Sequence, residues 1–302
     1  KKMRRNGREI ERVIPMAGKP RRELELQMRL RGSGSFIRRL KRDTDLPPKF
    51  RTPIEMPFRL SKEEKDALKS TEHDLEEIIE RVLDVDARVG DQRLAGEVID
   101  VIGGTSSDNP DFTELARVRR NLGLVKAPHA ARFIVEELQQ DDGLAPEARG
   151  KTVVFAHHKD VIARIAEEAE KAYPNGVLVY DGSVSNRERQ ERIDRFQNDP
   201  DARVFIMSLS GATGITLTAA NRMRVVEPDW SPSNMVQIED RIWRIGQQRS
   251  CDIGYLFVPD SLDVKMGLAI ISKMETDERA INTLSLRGMN ASPPAPETVG
   301  SR

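Results

Sequence analysis

The feature that most constrains this chain is a series of short apolar runs in its second half, each closed by a turn or loop. Residues 153–156 (VVFA), 177–180 (VLVY), 204–207 (VFIM) and 253–258 (IGYLFV) are short and almost uninterrupted by charge. Runs of that length and continuity suit strands buried on both faces, as in a parallel sheet covered by helices. The segments between them supply helices. Residues 159–173 follow the first run with a helical pattern, and Ser185 with Glu188 forms a capping box that opens a helix to about Asn198. A last helix is expected over residues 262–284. The class is therefore α/β, a parallel sheet joined by right-handed crossovers.

The first half reads differently. Ser61 and Glu64 form a second capping box, and Leu75, Ile78, Ile79, Val82 and Leu83 recur at helical spacing. After a polar break at residues 103–109, Asn109-Pro110 is expected to start one helix and Ala127-Pro128 another, each with proline in its first turn. Residues 61–145 are thus a helical flank on a lobe spanning residues 146–286. Residues 1–60 carry 18 Lys and Arg against 7 Asp and Glu, so the neutral chain of 49 against 49 hides a basic arm of +11. Such an arm adds sequence-independent affinity for DNA through counterion release.

Residues 237–247 (QIEDRIWRIGQ) carry the most specific chemistry. On a continuous helix Gln237, Arg241 and Arg244, at i, i+4 and i+7, share a face. Met235, Ile238, Ile242 and Ile245 recur on another face that can pack on a core. Arginine is permanently charged, planar and forked, which suits it to a transferring phosphoryl group.

This stretch resembles motif VI of the Swi/Snf-type superfamily 2 helicases. Gln237, Asp240, Arg241, Arg244, Ile245, Gly246 and Gln247 match, and Trp243 stands where the family usually has histidine. Upstream, 214–221 (GITLTAAN), a strand and 229–232 (DWSP) resemble motif V, with Ser231 in place of the usual asparagine. The loop at residues 208–214 follows a strand's carboxyl end, where open α/β sheets bind ligands, and Gly211 and Gly214 allow backbone to approach a phosphate closely. Residues 153–158 are similar to motif IV, and their FAHH string resembles the HepA-related annealing-helicase subgroup. Asp181, Gly182, Ser183, Ser185 and Arg189 fit a family pattern whose turn and helix start would hold a DNA phosphate. Residues 35–58 resemble the connector between lobes through Phe36, Arg38, Arg39, Lys41, Asp43, Leu46, Pro47, Pro48 and Lys49.

The resemblance implies a RecA-like C-terminal helicase lobe with that basic N-terminal connector. It implies ATP and Mg²⁺ as cofactors, held mainly by a first lobe of the same parent polypeptide, and double-stranded or forked DNA as partner. It makes Arg241 and Arg244 the catalytic residues and adds Gly214 and Gln237 to the ATP site. It assigns DNA contacts to His157, Ser183, Arg189, Ser208, Thr216 and Trp230. Trp230 has two readings, one facing DNA and one anchoring its loop; Trp243 reads as packing.

What the sequence lacks sharpens this. There is no GxxxxGK[ST] loop and no acidic motif closing an apolar strand. Gly150-Lys151-Thr152 is a decoy, because an apolar strand follows it where a phosphate loop requires a helix. The chain is therefore expected to be the second lobe plus its connector, a piece beginning with lysine, and to hydrolyse ATP poorly alone. His157 and His158 lack a third ligand at metal spacing, so no metal site is expected. The single cysteine, Cys251, has no disulfide partner, and no signal peptide or membrane span is visible, which fits an intracellular protein: cytoplasm or nucleoid if prokaryotic or phage, nucleus if eukaryotic. Residues 287–302 read as a polar, disordered tail. Two other classes stay open: a non-catalytic DNA-binding or protein-docking module, and a motor whose track is RNA or a fork.

Overall fold

The computed structural model describes residues 2–5, 8–11, 45–56, 60–83, 110–211, 214–259 and 261–282. The chain divides into two units. One comprises residues 1–16 and 45–274 and contains every described strand; the other, residues 17–44 and 275–302, is described only at residues 275–282. Connector positions 36–44, the polar break at residues 103–109, and the tail lie outside the described residues.

Strands β1 (Lys2–Arg5) and β2 (Arg8–Glu11) form an antiparallel ladder of their own. The main sheet contains β3 (Lys49–Glu55), β4 (Thr152–Phe155), β5 (Val177–Tyr180), β6 (Val204–Met207), β7 (Arg222–Val225) and β8 (Cys251–Phe257). Their order is β3-β8-β7-β4-β6-β5, and every pairing is parallel. The chain is thus the parallel α/β lobe its apolar runs require. Alternation along the strands feeds two cores. Val153 and Phe155 point to one face with Phe196, Met235 and Ile238, while Val154 points to the other with Ala130, Ile134, Ile162 and Ile165. Each fully buried aliphatic or aromatic side chain contributes about 1.5–3 kcal/mol.

Helices cover both faces. They are α1 (Lys62–Leu83), α2 (Pro110–Gln139), α3 (Lys159–Glu170), α4 (Asn186–Asn198), α5 (Pro232–Glu239) and α6 (Leu262–Asn282). Both capping boxes form: Ser61 and Glu64 exchange hydrogen bonds at α1, and Ser185 and Glu188 at α4. Lys151 of the decoy donates its ammonium to the carbonyls of Phe196 and Asp199, closing the end of α4, and Thr152 opens β4. No phosphate loop exists there.

Two expectations fail, and one segment of the connector gains a strand. Pro128 does not start a helix; α2 runs through it from Pro110 to Gln139. Ala127, Ala130, Ala131, Ile134 and Leu138 form one continuous buried stripe against α3, and that burial offsets the hydrogen bond the proline cannot donate. Residues 49–55 are not merely a crossing segment: they add β3 to the sheet's edge. Finally, α5 ends at Glu239, so Arg241 and Arg244 follow the helix rather than share its stripe. The Asp240 amide reaches back to both Ile238 and Val236, tightening the last turn. The Gln247 amide then donates to the carbonyls of Thr218, Ala220 and Ile242, pulling the chain into turns. Met235, Ile238 and Ile242 are buried as expected, but Ile245 is 80% exposed.

Candidate functional site

Because the sheet is wholly parallel, the loops after β4, β5, β6 and β7 gather at one end. Open α/β sheets bind ligands there. The structure brings His157, Ser183, Ser208 and Trp230 to these loops.

After β5, Asp181 accepts both the backbone amide and the hydroxyl of Ser183. Burial alone raises the Asp181 carboxyl, but the Ser183 hydrogen bonds bring it below its ordinary value. Arg189, one turn into α4, donates to the Val184 carbonyl and lies 5.7 Å from the Tyr180 ring. Gly182 is closely approached: a Cβ there would lie 3.0 Å from the Ser210 hydroxyl, which would have to give way. Ser208 itself is buried and shares a 2.9 Å hydrogen bond with Ser210.

After β4 and β7 lies a cluster that sequence reasoning missed. Glu227 is 2% exposed and accepts the amides of His157 and His158 and the His158 ring at Nδ1. Burial raises the Glu227 carboxyl, yet His158 and Arg119 hold it below the usual range. Gly123 of α2 leaves room for it, since a Cβ there would sit 2.5 Å from Glu227 Oε1. Arg119, also from α2, donates to the Pro228 carbonyl, and its guanidinium lies 5.2 Å above the Trp230 ring. Trp230 is a half-buried anchor of its loop, packed on the core. His157 lies 3.7 Å from Asp229, and burial, with the charges of Arg119 and His158, pushes its imidazole down to about 4. It is neutral at physiological pH.

Lys126 and Asp263 pair beneath this cluster at 3.0 Å, both buried. Lys126 lies on α2, before β4, and Asp263 in the first turn of α6, after β8. Burial keeps the Asp263 carboxyl above its ordinary value in spite of Lys126. The cavity between them and Trp230 is about 40 Å³, space for a few waters and not for a nucleobase. Little in the sequence marks Glu227, which stands two residues past the end of β7.

The motif VI arginines meet motif V differently. Gly214 takes a left-handed φ of +79°, and the carbonyl of the next residue, Ile215, turns toward both arginines. Nη1 of Arg241 lies 3.5 Å from that oxygen and Nη1 of Arg244 lies 3.4 Å from it. Among the described residues neither arginine forms an ion pair, and the Nε of Arg241 is buried with no hydrogen-bond acceptor. Burial and the neighbouring Arg244 charge lower the Arg241 guanidinium's proton affinity. Two cations thus converge on one neutral dipole, an arrangement an incoming anion would stabilise. Thr216 is half-buried beside this carbonyl, and Gln237 is exposed on α5. Ala212 and Thr213 lie outside the described residues.

Comparison with known proteins agrees with this geometry. Residues 132–246 match the family described as the helicase conserved C-terminal domain. Human DNA annealing helicase and endonuclease ZRANB3 is 31% identical over 255 residues, covering 83% of this chain and 21% of that protein. The SWI/SNF-related matrix-associated actin-dependent regulator of chromatin subfamily A-like protein 1 homolog of Caenorhabditis elegans is 30% identical over 192 residues, 63% of this chain and 27% of its own length. The chain therefore spans about a fifth to a quarter of these curated relatives. Among solved structures, the Sulfolobus solfataricus SWI2/SNF2 ATPase core in complex with dsDNA superposes with a TM-score of 0.52 at 21% identity, over 83% of this chain and 51% of that one. The C-terminal part of the Fun30 ATPase domain gives 0.51 at 18% identity, over 74% of this chain and 89% of that one. The chain carries a helicase conserved C-terminal domain and is a Swi/Snf-type, RecA-like C-terminal lobe related to ZRANB3.

Proposed function

We propose that this lobe is the second half of an ATP-dependent double-stranded DNA translocase, and that Arg241 and Arg244 serve ATP held mainly by the first lobe. The observation carrying this reading is the convergence of both guanidiniums on the Ile215 carbonyl without an ion-pair partner among the described residues. The site suits the γ-phosphate of ATP: the donors are forked, partly desolvated and aimed at one point. Bound Mg²⁺-ATP would supply the phosphoryl group and its neutralising metal. Arg241 and Arg244 would offset the charge that develops on it.

The loops after β4 to β7 form the DNA face. Arg189 presents a guanidinium beside a helix N-terminus, and Ser183 would turn its hydroxyl from Asp181 to a phosphate there, contacts that favour phosphate over bases and give little sequence preference. Neutral His157 and the Arg119-backed Trp230 lie next to them, and the basic connector adds longer-range attraction. Opening and closing of the two lobes would move this face along the duplex.

ATP hydrolysis by the native-length protein, with and without duplex DNA, tests the reading. DNA-stimulated turnover should fall by about 10³- to 10⁵-fold in Arg244→Ala while duplex affinity stays unchanged. Equal loss of turnover and DNA binding would remove the finger assignment. A native-length protein with no hydrolysis would leave a binding or docking module.

A further inference from the structure

The connector and motif VI are tied together through one buried carboxylate. Glu239, the last residue of α5, is 0% exposed. Its oxygens accept Lys49 Nζ at 2.7 Å, Arg51 Nε at 2.7 Å and Nη2 at 2.6 Å, and the Tyr255 hydroxyl at 2.8 Å. Lys49 and Arg51 lie on β3, on the same side of the strand by its period of two. Burial raises the Glu239 carboxyl, but Lys49 and Arg51 hold it ionised, below its ordinary range. The backbone carbonyl of the same residue accepts the amides of Ile242 and Trp243 at 3.2 Å, which shapes the turn carrying Arg241. A second tie closes the far side of that turn. Trp243 Nε1 donates to the Pro47 carbonyl at 2.7 Å, and Lys49 Nζ lies 4.7 Å over the Trp243 ring. Residues 47–51 therefore hold both ends of the segment 239–243, with Arg241 inside it and Arg244 next in sequence.

We propose that Glu239 is a positioning residue that fixes Arg241 and Arg244 to the connector strand, so that the chain entering the lobe sets where the two guanidiniums point. The proposal rests on the motor reading above. It accounts for a placement that packing alone does not: an ionised carboxylate buried with two cations at the edge of a parallel sheet is retained at an energetic cost relative to apolar replacements. It also accounts for where α5 stops. The helix ends on the anchored residue, and the arginines lie on the turns beyond, where their direction depends on the anchor rather than on helical phase.

The test compares wild type, Arg244→Ala, Glu239→Gln and Trp243→Phe in the native-length protein, with DNA-stimulated ATP hydrolysis and thermal melting measured together. Glutamine keeps the volume and removes the charge; phenylalanine keeps the ring and removes the donor to Pro47. Misplacing a transition-state group by about 1 Å can cost on the order of 10²-fold, so kcat should fall to that extent in Glu239→Gln. Trp243→Phe should fall less. The KM for ATP and the Kd for duplex DNA should hold, because a misaimed guanidinium weakens an interaction made in the transition state. A folded Glu239→Gln protein with wild-type kcat overturns the proposal, as does a fall in kcat matched by the fraction unfolded. If Glu239→Gln does not fold, the same two outcomes are read from Trp243→Phe. Wild type without DNA-stimulated hydrolysis defeats the motor reading and this proposal with it. Active wild type, inactive Arg244→Ala and unaffected Glu239→Gln defeat the positioning role alone.

Discussion

The buried acids and the motif VI arginines make an instructive pair. Glu227, Glu239 and Asp263 are almost fully enclosed, and each is met by amides, hydroxyls or cations at hydrogen-bonding distance. Arg241 and Arg244 are more open, yet among the described residues each guanidinium makes one long contact, to the same carbonyl. Enclosed charge is tolerated where every lone pair is used, and removing one partner then exposes the full desolvation penalty of the other. Charge left idle at the surface stabilises the fold little and stays available to a ligand. Substitutions in the first group should therefore act on stability, and those in the second on turnover.

The largest stability effect should come from Asp263→Ala. Lys126 would remain buried with only a 3.4 Å contact to the Leu256 carbonyl, and the Val258 amide would lose its acceptor. Stranding a buried charge costs about 3–5 kcal/mol, which equilibrium urea unfolding would register as a much lower midpoint at unchanged slope. A loss below about 1 kcal/mol, the scale of an exposed pair, would erase the contrast between the two regions. Glu227→Gln comes next. The amide oxygen can still accept both backbone amides, which share Oε2, but its NH₂ group would face the His158 Nδ1–H, and about 1–3 kcal/mol should be lost. The same unfolding curve checks it.

How much of this was legible in the sequence follows from the range of the forces involved. Strands β4, β5, β6 and β8 are continuous apolar runs, and the capping boxes at Ser61 and Ser185 are local, so both were readable. Strand β3 was not. Its inward positions include Lys49 and Arg51, which face Glu239 rather than an apolar core, and Pro53 stands inside it. Charge matching across 190 positions leaves no periodic trace. The Pro128 and Arg244 expectations failed for a related reason. Local rules open a helix at proline and continue one through 241–244, whereas the stripe on α2 and the side chain of Gln247 act from a distance and prevail. Motif resemblance located the arginines and the loops at the carboxyl ends of the strands, but the buried acids that hold those loops were visible only in three dimensions.

The next effect is one of pH. His157 is held at about 4 against an ordinary 6.5, so the unfolded chain takes up a proton before the folded one does. The folded state carries no penalty above pH 6.5 and loses stability as pH falls from there toward 4, below which the loss is constant. Imidazole NMR should place the His157 midpoint near 4, and a midpoint at or above 6.5 would contradict the enclosure described for it.

The smallest stability effect sharpens the comparison most. Arg244 is exposed, and its one side-chain hydrogen bond among the described residues is a 3.4 Å approach to the Ile215 carbonyl. Arg244→Ala removes no enclosed partner, and it relieves repulsion on Arg241, whose own charge is disfavoured by burial and by Arg244. The change in unfolding free energy should stay within about 0.5 kcal/mol, the range of surface substitutions. The same substitution is the one expected to abolish turnover. A variant that melts with wild type but does not turn over would separate the two roles of charge within one lobe. A variant that melts early would mean that Arg244 belongs with the structural ions, and the distinction between enclosed and idle charge would not hold at motif VI.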